Sequence, residues 1–181
     1  GTLTGPVCTI VYDTSVPTIT GGVMSNDNTY LILTFSEKVW SDATRTTALM
    51  IPNTDFTKTF TQNTGGVITA SVVQGFYADS GLTTALSATT GYSVVYAKLT
   101  NTGGPASGVE TISLTAVASQ IYDRAGNVMS SAQTTGNILF KDLRYGYVTA
   151  VNTSKANGYY KSGEVIDITV TYDAAVTVNT G

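Results

Sequence analysis

The sequence predicts an all-β protein built as an antiparallel β-sandwich, and three observations carry that prediction. Thr supplies 33 of the 181 residues and Tyr outnumbers Phe by 11 to 5; Thr and Tyr both favour the pleated, half-buried surface of a strand. Apolar and polar residues alternate over short runs, the period of a strand and not of a helix. Those runs are separated by turn-forming clusters of Gly, Asn and Asp, with 18 Gly in the chain.

The clearest strand is Thr29–Ser36, where Leu31, Leu33 and Phe35 face one way and Tyr30, Ile32 and Thr34 the other. Asp55–Thr61 follows, with Phe56 and Phe60 flanking Lys58 on one face, and then Val67–Val73. Tyr77–Thr90 is polar and rich in small residues and reads as a long loop. Tyr92–Leu99 and Val109–Val117 are the next strands, the second with Ile112, Leu114 and Ala116 on its apolar face. Thr135–Leu143 and Tyr147–Asn152 complete the set. Gly65-Gly66, Gly103-Gly104-Pro105 and Ala125-Gly126-Asn127 mark turns. Leu31, Leu33, Phe35, Ile112 and Leu114 are expected to meet between two sheets.

Composition narrows the function classes. Hydrophobic residues make up 42%, enough for a packed core, and charged residues only 12% against a usual share of about 25%. The net charge is −3, from 9 Lys+Arg and 12 Asp+Glu, and no basic patch is visible, so no nucleic-acid partner is expected. No apolar run approaches the roughly 18 residues of a membrane-spanning helix, so no membrane insertion is expected. The chain has no His and a single Cys, Cys8. That removes Ser-His-Asp and Cys-His catalysis, His-based zinc sites and any intrachain disulfide. Carboxylate or hydroxyl chemistry, or hard-cation binding through oxygen, is what remains. Nothing sets two carboxylates in a cleft with aromatic walls, so no glycosidase, and no enzyme, is expected. Cys8 reads as a small buried hydrophobe, and Asn152-Thr153-Ser154 is an N-glycosylation sequon.

The ends carry the marks of a repeat. Leu33-Thr34-Phe35-Ser36-Glu37-Lys38-Val39 is echoed by Val170-Thr171-Tyr172-Asp173-Ala174-Ala175-Val176, as tandem modules would give. The expected organisation is therefore a full sandwich at residues 13–142. Residues 1–12 form a terminal strand of a preceding module, or a donor strand. Residues 143–181 form the first strands of a following module.

Three further segments resemble bacterial immunoglobulin-like repeats. Asp13-Thr14-Ser15-Val16-Pro17-Thr18-Ile19 is similar to their Asp-Thr-Thr-Ala-Pro-Thr opening. Phe35-Ser36-Glu37-Lys38-Val39 is similar to their Phe-Ser-Glu-x-Val strand end, and Asp123-Arg124-Ala125-Gly126-Asn127 to their Asp-x-Ala-Gly-Asn turn. The tail, from Ala156-Asn157-Gly158 through Lys161-Ser162-Gly163-Glu164, resembles a second repeat type. The resemblance implies an immunoglobulin-like sandwich at the cell surface or outside the cell, in a protein of adhesin, surface-layer or filament type. The expected role is a spacer or assembly unit. Its partners would be neighbouring modules or identical subunits, joined by strand addition. The alternative is a carbohydrate- or surface-binding module, with Trp40 and the Tyr residues as a glycan-stacking platform.

Placed on such a sandwich, Asp13, Glu37, Asp123 and Asn127 converge on the pole where the chain enters. Four oxygen-bearing side chains there suit Ca²⁺, which takes about 6–8 oxygen ligands. The plainer reading of Asp123 and Asn127 is that they shape a turn in which Gly126 takes the positive φ.

Overall fold

The computed structural model describes residues 12–49, 54–146, 148–173 and 175–178. The fold is all-β and antiparallel, with no helix among the described residues. It divides into two units, one reaching Leu143 and one starting at Arg144. The expected strand at residues 1–12 lies outside the described residues, except for Tyr12.

The first unit is a β-sandwich. One sheet has the order β1-β2-β5-β4, formed by Ile19–Met24, Tyr30–Val39, Tyr92–Gly103 and Ile68–Tyr77. The other has the order β3-β6-β7, formed by Phe56–Thr61, Thr111–Ala116 and Ile138–Leu139. Alternation along β2 sends Leu31, Leu33 and Phe35 inward and leaves Tyr30, Ile32 and Thr34 half-buried outside. Its neighbour β5 presents Val95, Ala97 and Leu99 to the same core, in the register Leu31↔Ala97 and Leu33↔Val95. From the opposite sheet come Phe56, Ile112 and Leu114. Phe56 packs on Phe35 at 6.3 Å and edge-on to Phe76 at 5.4 Å between ring centres. Burying each such side chain contributes about 1.5–3 kcal/mol before entropy is charged against it. Lys58 escapes the core by reaching the Ser71 carbonyl at 2.5 Å.

Two expected strands differ in length. β4 continues to Tyr77 rather than stopping at Val73, with a register shift between Val73 and Gly75 that lets the strand bend and go on. Thr135–Leu143 shrinks to the two residues of β7. There the Leu114 N–H donates to the Thr135 hydroxyl rather than to a backbone carbonyl. Gly136 then turns with φ +65°. The chain regains single backbone bonds further on, Phe140 N to Glu110 O and Leu143 N to Ala106 O.

The second unit is a two-stranded ribbon, β8 (Val148–Thr153) against β9 (Ile168–Tyr172). Val151 faces Val170 and Val148 faces Tyr172, and all four are exposed.

Candidate functional site

A break in the β2–β5 ladder creates the site. Pairing is regular to Thr34↔Val94 and resumes only at Val39↔Tyr92. Trp40 then leaves β5 and bridges Tyr122, each backbone N–H donating to the other's carbonyl at 2.8 and 2.9 Å. That crossing sets Glu37 beside Asp123. The incoming chain is held to the same strand end, because Ser36 N donates to Thr18 O and Thr18 N to Ser36 Oγ.

Asp13, Glu37 and Asp123 each bring a carboxylate oxygen to within 4.8 Å of the others. Asp123 is fully buried, Glu37 half-buried and Asp13 exposed. Asp123 also shapes its own turn: its Oδ1 accepts Gly126 N at 2.7 Å and Asn127 N at 2.8 Å. Gly126 holds φ +94° with open space where a Cβ would go, so the backbone angle and not crowding calls for glycine. Asn127 joins the group through its amide N–H groups, donating to Asp123 Oδ2 at 2.7 Å and to the Asp13 carbonyl at 3.2 Å. It therefore acts as a strut between the two aspartates. Burial, then the Asp123 and Asp13 charges, hold Glu37 above the ordinary carboxylate pKa.

The trio borders an open cleft of about 660 Å3. Asp13, Glu37, Lys38, Trp40, Arg45 and Arg124 line it, with three threonines. Trp40 does not fit the stacking platform expected of it. Only 4% of it is exposed, and Gly91 lies so close that an added Cβ would sit 2.3 Å from the indole Cζ2. A ring buried in this way presents no free face to a sugar.

Two features escaped the sequence reading. Glu110 is fully buried, and its carboxylate takes the N–H groups of Val67, Ile68 and Ser107 at 2.6–3.2 Å. The second is a repeated loop, Asp42–Leu49 and Asp79–Leu86, both reading Asp-x-x-x-Thr-Thr-Ala-Leu. In each, the aspartate carboxylate caps backbone N–H groups four and five residues on. The fourth residue of each, Arg45 or Leu82, takes a positive φ. The shared Thr-Thr-Ala-Leu was the signal available for it.

With the geometry in place, comparison with known proteins adds one match. Residues 107–181 match the family model SpaA: Prealbumin-like fold domain. The match covers less than half of the chain and takes in β6, β7 and the β8–β9 ribbon. No curated protein and no solved structure matches.

Proposed function

We propose that the chain is a structural and interaction module of an extracellular or cell-surface protein, a spacer or assembly unit of an adhesin, surface layer or filament, and not an enzyme. The prealbumin-like match supports this reading, since that domain type belongs to bacterial pilin and surface proteins. The observation that carries it is the ribbon. Val151, Ile168 and Val170 are 63, 67 and 42% exposed, and β8 and β9 pair only with each other among the described residues. A two-stranded ribbon is marginal alone, and its open edges are templates for another strand. A neighbouring module or an identical subunit supplies that strand, and the apolar stretch Pro6–Tyr12 is the candidate donor. Sedimentation velocity on the full chain and on a chain lacking residues 1–11 tests the donor. Concentration-dependent assembly that the deletion abolishes is the expected result; equal assembly without those residues refutes the donor.

Calcium is a second reading, favoured by three carboxylates held together at one pole. Ca²⁺ would take Asp13, Glu37 and Asp123 directly, with water completing its shell, and would turn their mutual repulsion into a tie between chain entry, strand end and hairpin. Its test is thermal melting in millimolar calcium and in chelator, on the wild type and on Asp123→Ala. Saturating calcium at a hundredfold excess over Kd would add about 2.7 kcal/mol. A wild-type melting temperature indifferent to calcium refutes it.

A further inference from the structure

The cleft beside the acidic trio holds more donors than the protein itself uses. Trp40 is almost wholly buried, yet its indole Nε1–H has no acceptor. Native interiors rarely leave such a donor unmatched, because its hydration is lost and nothing replaces it. Lys38 and Arg124 are exposed at the same cleft, and their charged groups meet no hydrogen-bond or ion-pair partner among the described residues. Arg45 spends one guanidinium nitrogen on the Arg124 carbonyl and keeps its other donors. Asp13 and Glu37 line the same space as acceptors.

This combination selects a ligand. A bare anion would pair with the cations and be repelled by the two carboxylates. A neutral polyol would donate to the carboxylates and leave three cations with no counter-charge. A ligand with a carboxylate next to hydroxyls uses both sets: its carboxylate accepts from the indole N–H and the cations, and its hydroxyls donate to Asp13 and Glu37. A volume of about 660 Å3 lies within the size range of small-ligand sites. We infer that this cleft is a binding site for an acidic saccharide, a uronate-type sugar unit held edge-on through its carboxylate and hydroxyls, without ring stacking. The inference is independent of the strand-addition reading and of calcium.

Trp40 is the only tryptophan in the sequence, so its emission reports the cleft directly. The full chain is titrated with an oligogalacturonate, with a neutral maltooligosaccharide of equal length, and with an acidic Ser-Asp peptide. Chelator is present throughout, so that no cation bridges ligand and trio. Emission and calorimetry should both saturate with the oligogalacturonate, and the neutral sugar should bind at least about tenfold more weakly, the scale of one charge-assisted hydrogen bond. Arg124→Ala changes an exposed side chain and should weaken uronate binding about tenfold while the melting temperature holds. Lys38→Ala gives the same check on a second exposed cation. No saturable response to the uronate overturns the inference. So does unchanged affinity in both variants, or tighter binding of the peptide than of the sugar.

Discussion

Glu110 offers the sharpest test of how this sandwich is held together. Its carboxylate is fully buried and collects three backbone N–H groups: Val67 and Ile68 on Oε1, and Ser107 on both oxygens. It thereby ties the start of β4 to the segment that leads into β6. Glu110→Ala leaves three donors without their acceptor. Each fully buried one costs about 1–3 kcal/mol; Ile68 and Ser107 are in that class, while water can reach half-buried Val67. Removing a buried charge returns part of the loss, so the net expectation is a destabilisation of about 3–5 kcal/mol, or about 10–20 °C in melting temperature. Glu110→Gln should cost less, about 1–3 kcal/mol, because one carbonyl oxygen can still serve Val67 and Ile68 while the new NH2 group faces the Ser107 donor. The backbone donors outweigh the burial that opposes them and hold the Glu110 pKa below its ordinary 4.5. Its stabilisation is therefore present above that value and is lost as pH falls through the folded-state pKa. Urea denaturation followed by fluorescence, at neutral pH and near pH 3, reads both effects. The gap between wild type and Glu110→Gln should narrow in acid. An Ala variant within about 0.5 kcal/mol of wild type, the range of an inert surface change, would refute the clamp.

Glu37 carries the opposite sign. Its pKa is raised, so its ionised form disfavours folding at neutral pH, and its contribution is best below the unfolded value and lost as pH rises through the folded one. Glu37→Gln should gain up to about 1 kcal/mol at pH 7 in chelator and nothing near pH 3, as read by urea denaturation at the two pH values. Gly91→Ala places a methyl against the Trp40 ring at a φ of +62° and should cost about 2–4 kcal/mol, with a shift in Trp40 emission in the folded state. Asn28, almost fully buried at φ 58°, exchanges two hydrogen bonds with the Lys141 backbone, both at 2.8 Å. Asn28→Ala should cost about 2–4 kcal/mol, and faster amide exchange at Lys141 would locate the loss.

Strand content was legible wherever burial on one face imposed a two-residue period. Leu31-x-Leu33-x-Phe35 and Ile112-x-Leu114 name their own core face, and the structure buries all five. Thr135–Leu143 misled for a physical reason. β-propensity reports side chains suited to a strand, whereas the ladder there is broken by a Thr hydroxyl standing in for a carbonyl and by a glycine at positive φ. The acidic trio was legible from three short motifs, because each sits at a strand end or hairpin turn and the topology of a sandwich fixes which ends share a pole. The cleft beside it was not. Lys38, Arg45 and Arg124 belong to no common motif, and they meet only because β2 abandons β5 after Thr34 and crosses to Tyr122. The same crossing buries Trp40, which turned an expected stacking face into a hidden N–H. A bulge that moves one strand end between partners is set by long-range pairing, and no local period in the sequence records it. The cleft and the trio are thus one consequence of a single register break. Restoring regular β2–β5 pairing across that break would remove both together, whereas single side-chain changes separate them: Arg124→Ala addresses the cleft and Asp123→Ala the trio.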